Sequence, residues 1–177
     1  MGNYKYEDQL TSARLTTRFL TVEDILPWSK FFDDKEATRY YFFLGDRTSL
    51  EIATDWVYKQ IDRYAEQRFG HQALIDKNTG EMIGQCGMLL QDVNGEMRIE
   101  IGYHVFQKHW GKGYAPEAVK LFIDYAFENN VTDTLISIID INNLKSQRVA
   151  DKNGLIRSEQ IRWHNTDVFI YRIDKQT

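Results

Sequence analysis

The chain has 177 residues, 42% hydrophobic and 27% charged, with a net charge of −4 at pH 7. This length and balance fit one globular domain over residues 1–177 with a sizeable core, and exclude a disordered or fibrous chain. The acidic balance argues against a nucleic-acid platform, which shows a basic surface, and the single cysteine, Cys86, excludes an intramolecular disulfide.

The opening residues show no charged-then-apolar leader, and no apolar run reaches membrane-spanning length. A soluble cytoplasmic protein without a membrane partner is expected. Arg14–Phe19 alternates as a first strand, and a short helix follows from Thr21 or Glu23 through Trp28 and Phe32. Residues 37–45 form an aromatic segment that ends in a Gly-Asp turn. Thr48-Ser49-Leu50-Glu51 is a capping-box signature. The helix that it opens carries Ile52, Trp56, Ile61 and Tyr64 near helical spacing and is expected to end around Gly70.

Two strands, His71–Asp76 and Met82–Leu90, flank a hairpin turn at residues 76–80. Cys86 falls inside the second strand, as a small buried hydrophobe. Asn94-Gly95 is a second hairpin signal, leading into a strand that ends at Phe106. A glycine turn then opens a helix with Ala118, Phe122 and Ala126 on one face. Thr134–Asp140 is a continuous apolar strand, expected to be buried on both faces. A short helix from about Asn143 to Lys152 stops at Asn153-Gly154. Strands at Leu155–Trp163 and Val168–Ile173 close the chain around the turn Asn165-Thr166. This order predicts a mixed α/β (α+β) sheet with helices on both faces.

The junction of the strand ending at Phe106 with the next helix carries the most information. Gly111 and Gly113 let backbone approach a ligand closely. Pro116 falls in the first helical turn, which needs no amide hydrogen. A strand, a glycine turn and a free helix start make an anion site, with converging N–H groups backed by the helix dipole. A phosphate-bearing ligand is expected. Gly111-Lys112-Gly113-Tyr114 lacks the hydroxyl of a nucleotide-binding Walker loop, and the third glycine of the dinucleotide fingerprint is absent.

The segment resembles the pyrophosphate loop of the GNAT superfamily of acetyl-CoA-dependent N-acetyltransferases, Gln/Arg-x-x-Gly-x-Gly/Ala, with Lys108 in the Gln/Arg place. The pieces Glu100-Ile101-Gly102-Tyr103, Trp110-Gly111-Lys112-Gly113-Tyr114-Ala115, Asn142-Asn143-Leu144-Lys145-Ser146 and Lys152-Asn153-Gly154-Leu155 resemble its ribosomal-protein N-terminal (Rim-type) branch, with Leu155 where that branch usually has Phe. The resemblance spans nearly the whole chain. It implies a mostly antiparallel sheet of about seven strands with helices on both faces. It also implies acetyl-CoA as cosubstrate and direct transfer to a primary amine. A protein N-terminus leads as acceptor, with a small-molecule amine or a non-catalytic CoA-binding module as alternatives.

Residue by residue, the resemblance implies that backbone N–H groups from Trp110 to Ala115 (Trp110, Gly111, Lys112, Gly113, Tyr114, Ala115) cradle pyrophosphate. Lys108 keeps a donor in the Gln/Arg place and is counted with the cofactor-binding residues; Lys112 adds charge at the pyrophosphate edge, with simple solvation as the competing reading. Backbone at Tyr103, His104 and Val105 would pair with the pantetheine arm like an added strand. Glu100 is the general-base candidate, because a partly buried carboxylate has its pKa raised towards the useful range. An exposed sheet carboxylate paired across strands is the competing reading. His104 is read as a structural or cofactor neighbour rather than a base. Asn143 resembles the residue that bonds pantetheine, and Ser146 the proposed acid near the sulfur, although both could simply cap the helix. The tyrosine that other members use further along this helix is replaced by Ala150.

Tyr40, Tyr41, Phe42, Phe43, Trp163, His164 and Asp167 are placed around the acceptor groove. For the four consecutive aromatics, groove lining, core packing and a homodimer contact all stay open. No Cys/His spacing suggests a metal.

Overall fold

The computed structural model describes residues 6–41 and 44–176. One seven-stranded sheet runs through it in the order β1-β2-β3-β4-β5-β7-β6. Its strands are β1 Leu15–Arg18, β2 His71–Asp76, β3 Met82–Val93, β4 Glu96–Val105, β5 Thr134–Asp140, β6 Ile156–Trp163 and β7 Thr166–Asp174. Helices α1 (Ile25–Asp33) and α2 (Ser49–Ala65) pack with Ala73 of β2 on one face. Helices α3 (Tyr114–Glu128) and α4 (Leu144–Lys152) cover the other, over Leu74, Ile101, Leu135 and Ile139. The mixed sheet and the two helical layers match the expected fold class.

Every neighbouring pair is antiparallel except β4 and β5, which run parallel and pair only at Glu100↔Ile136. Ser137 Oγ donates to the Ile101 carbonyl across this seam at 2.9 Å. Parallel strands must be joined by a crossover, and α3 supplies it. The glycine turn therefore lies at the end of β4, just past the divergence.

Local chemistry explains where the elements stop. Thr48 and Glu51 close the anticipated capping box, with Thr48 N donating to Glu51 Oε2 at 2.8 Å. The helix that they open ends at Ala65 rather than near Gly70: Gln67 takes φ +55°, and Arg68 N donates to the Arg63 carbonyl at 2.7 Å. A non-glycine left-handed residue thus ends the helix in the manner usual for glycine. Helix α4 ends as anticipated, with Gly154 at φ +78° and Leu155 N bonded to the Ala150 carbonyl at 3.1 Å. Asn94-Gly95 turns β3 into β4 with both residues at positive φ, and β3 runs on to Val93 instead of Leu90. In the last hairpin the left-handed pair is His164-Asn165, one residue earlier than expected, so β7 starts at Thr166 instead of Val168. Strand β5 is largely buried, with Leu135, Ile136, Ser137 and Ile139 inside. Among the described residues, no helix is long and apolar enough to cross a membrane.

Candidate active site

Where β4 and β5 part, a cavity of about 880 Å³ opens. Glu100, Gly102, Tyr103 and His104 line it from β4, Ser137 to Asp140 from β5, and Asn143 and Ser146 from the start of α4. Its remaining walls come from Tyr40 and Tyr41, one face of α2, and Trp163 and His164 of the last hairpin. Glu100, Tyr103, His104, Asn143 and Ser146 of the predicted site therefore meet in one place, whereas Val105, Lys108 and the turn residues 110–115 do not line this cavity.

Alternation along β4 decides which groups face the opening. Phe106 N donates to the Ile83 carbonyl on the β3 side, and the Ile101 carbonyl accepts Ser137 Oγ on the β5 side. Backbone groups alternate sides in such a strand, so those of Tyr103 and Val105 face the widened seam. The His104 backbone falls on the β3 side, and the expectation that it shares in an added-strand pairing is corrected. The Val105 carbonyl accepts Trp110 Nε1 at 2.7 Å, which ties the strand to the glycine turn.

Glu100 is 9% exposed. Its carboxylate accepts Gln91 Nε2 at 2.7 Å and the backbone N–H of Ile138. Burial raises its pKa; these two donors and the charge of Arg63 pull it back only in part. A carboxylate held by amides and not by a cation keeps a proton-accepting role available. The competing cross-strand cation is absent among the described residues, since Arg98 pairs with Glu96 and Glu159 instead.

The His104 ring lies among Trp28, Phe31 and Trp56, with Tyr41 Oη against Nδ1. Burial holds its pKa down to about 3, so it is neutral at physiological pH. His71 lies 4.8 Å from it, ring to ring, and stacks on Trp56. A Cβ at Gly102 would stand 2.6 Å from His71 Nε2. Glycine is therefore required beside Glu100, because an imidazole from β2 fills the space a side chain would take.

At α4, Asn143 Oδ1 caps the helix by accepting Ser146 N at 3.1 Å. Tyr103 Oη donates to the Ser146 carbonyl at 2.8 Å. A phenol thus does reach this helix start, but from β4, while Ala150 is sealed in the core. Cys86 is fully buried in β3, and burial raises its thiol pKa, so a thiolate nucleophile is not available there.

The glycine turn has the shape of a cradle. Gly111 and Gly113 sit at φ +75° and +82°, and nothing lies within 4 Å of a Cβ built at Gly111. The N–H groups of Tyr114 and Ala115 start α3 and have no intrahelical acceptor. The Trp110 N–H is spent on the Gln107 carbonyl at 2.9 Å, so the donor set begins one residue later than expected. Lys108 is turned to Glu81, which corrects its expected place among the cofactor-binding residues. Sequence reasoning missed Arg14. Its Nη1 donates to the Lys112 carbonyl at 2.9 Å, its guanidinium covers the Tyr114 ring, and it pairs with Glu117. Lys145 Nζ, also missed, lies 4.1 Å over the Trp110 ring and pairs with Glu36. No local signal announced either, since each depends on a partner far away in sequence.

Of the expected groove residues, Tyr40 donates to the Asn142 carbonyl at 2.9 Å, and Trp163 and His164 line the cavity. Asp167 does not line it and pairs with Arg162 at 3.5 Å. Phe42 and Phe43 lie outside the described residues. No cluster of three or more potential metal ligands occurs among the described residues.

A sheet parted between two parallel strands, with a glycine turn and helix start at the parting, defines an acyl-CoA N-acyltransferase class of fold. The family described as Acetyltransferase (GNAT) domain matches residues 14–156, and the chain belongs to this family. A relative from Bacillus licheniformis, described as uncharacterized N-acetyltransferase p20, is 31% identical over 176 residues, covering 96% of this chain and 97% of its own. The fold is similar to that of RimL, a ribosomal L7/L12 alpha-N-protein acetyltransferase solved with coenzyme A, at TM-score 0.79 and 16% identity over 96% and 98% of the two chains. It is also similar to the microcin C7 self immunity acetyltransferase MccE, solved with acetyl-CoA and AMP, at TM-score 0.73 and 14% identity over 94% and 98%.

Proposed function

We propose that the protein is a single-domain enzyme that transfers acetyl from acetyl-CoA to a primary amine by direct attack in a ternary complex, with a protein N-terminus as the leading acceptor and a small-molecule amine as the alternative. The observation that carries this reading is the convergence of Glu100, the parted β4–β5 seam and the α4 start on one cavity. Acetyl-CoA supplies the activated acetyl group. The cradle fits its pyrophosphate by its positive-φ glycines and unbonded helix-start amides. Tyr103 and Val105 offer backbone to the pantetheine arm. Glu100 takes the ammonium proton, directly or through water. Ser146 gives a proton to the departing sulfur. The burial of Cys86 supports direct transfer over an acetyl-cysteine intermediate. Release of free CoA, measured with a panel of N-terminal peptides and small amines, tests the reading: release that depends on an amine supports it, and none with any amine sinks it.

The same reading predicts the effect of Ser146→Ala. Loss of an interaction made only in the transition state lowers kcat and leaves KM nearly alone. The kcat at saturating acetyl-CoA should fall by on the order of 10²-fold. Tyr103→Phe removes the hydrogen bond to the Ser146 carbonyl and should change kcat much less. A larger loss for Tyr103→Phe than for Ser146→Ala would move the acid to the phenol.

A further inference from the structure

The charged lining of the cavity has an arrangement that the transfer chemistry does not use. Three cations, Arg47, Lys59 and Arg63, and three carboxylates, Asp55, Glu100 and Asp140, line it. Arg47 and Asp55 pair with each other at 2.8 Å. Asp140 Oδ1 accepts the backbone N–H of Asn142 at 2.8 Å, at the β5 end. Glu100 and Arg63 remain, with Lys59 one helical turn before Arg63 on α2.

Glu100 and Arg63 form no salt bridge. A neutral amide holds each of them instead. Gln91 Nε2 donates to Glu100, and Gln60 Oε1 accepts Arg63 Nη1 at 3.1 Å. Gln60 is itself 2% exposed and fixed by the His71 N–H at 2.9 Å, so Arg63 is oriented by a rigid partner. Arg63 is half-buried and without a carboxylate among the described residues, and desolvation lowers its pKa. A desolvated guanidinium with no anion is costly unless a ligand supplies one.

Opposite charges on facing walls, kept apart by amides, complement a molecule that carries both charges in the reverse order. A polyamine would bring its second cation against Arg63 and Lys59. We propose that the acceptor is a carboxylate-bearing primary amine, its amine at Glu100 and its carboxylate at Arg63 with Lys59 beside it. The carboxylate has two sources: the α-carboxylate of a free amino acid, or an acidic side chain on the first residue of a peptide. This inference rests on the transferase reading above and names the substrate class of that site.

The test compares matched acceptors by CoA release: free amino acids against their carboxamides, and peptides beginning with Asp against the same peptides beginning with Asn. In the wild-type enzyme, the carboxylate member of one of these pairs should be preferred in kcat/KM by on the order of 10–100-fold. The pair that shows the preference identifies the source. Raising the ionic strength should narrow it. In Arg63→Gln, checked for a wild-type melting profile, the preference should collapse to within about twofold, read as the ratio of the two members so that a change common to both through Glu100 cancels. The wild-type comparison needs no variant, so a poorly folded Arg63→Gln leaves the test intact. Equal use of carboxylate and amide members by the wild type, or a preference that survives in Arg63→Gln, overturns the proposal while the transferase reading stands. No CoA release with any amine overturns both.

Discussion

Glu100→Gln should lose on the order of 10²–10⁴-fold in rate at neutral pH, with the deficit shrinking as the pH rises. Glu100 is buried, and burial raises its pKa. The base form is the ionised one, so wild-type kcat/KM should climb with pH through that raised pKa, above the range of an ordinary carboxylate. The Gln variant should lack this limb and recover only where free amine becomes abundant. His104 offers no substitute, because a pKa of about 3 makes its imidazole a weak proton acceptor and Tyr41 engages its Nδ1.

Stability supplies a second reading of the same variant. A carboxyl whose folded pKa lies above its unfolded one binds more protons in the native state between the two values, so its stability contribution is present at low pH and lost as pH rises through the folded pKa. Glu100→Gln should therefore melt no lower than wild type at pH 8, while the advantage disappears below the unfolded carboxyl pKa. A normal rate and an unchanged pH profile in a folded Gln variant would make Glu100 structural.

Gly113→Val should cost acetyl-CoA affinity on the order of 10–100-fold, the loss expected when one or two charge-assisted backbone hydrogen bonds are displaced. Gly113 caps α3 at φ +82°, and a Cβ there would lie 3.4 Å from Arg14 Nη2. A β-branched residue strains at this angle by about 1–2 kcal/mol, and relaxation would shift the amides that begin α3. Gly95→Val is the matched control: it carries similar strain at φ +84° but sits in the β3–β4 turn, at the far end of β4 from the cradle. Calorimetry should show weakened binding for the first variant only. Unchanged affinity in a folded Gly113→Val protein would remove the turn from cofactor binding.

Signals confined to a few neighbouring residues were legible in the chain. Thr48 and Glu51 marked a helix start, Asn94-Gly95 a hairpin and Gly154 a helix end, because each acts through bonds within one turn of backbone. The order of strands and helices, and the glycine turn before α3, were sufficient to place the chain in its family. Errors arose where a local rule had a competitor. Gln67 ended α2 without a glycine, and His164 rather than Thr166 joined Asn165 in the last turn.

The surroundings of both the cradle and the cavity depend on contacts between distant segments. Arg14 reaches the Lys112 carbonyl across the β1 edge, Tyr103 reaches α4 from β4, and His71 fills the space that makes Gly102 necessary. Lys108, which the motif placed among the cofactor-binding residues, pairs with Glu81 instead. Arg63 looks in the sequence like one more solvated helix cation, and becomes distinctive only because Gln60 is anchored by His71 while Glu100 is held by Gln91 on the opposite wall. Which elements form, and which backbone turn opens α3, could be read along the chain, since hydrogen-bond geometry and side-chain periodicity act over a few residues. Which charges stay unpaired around the cavity was settled by contacts between segments far apart in the chain, and such contacts exist only once the sheet has brought those segments together.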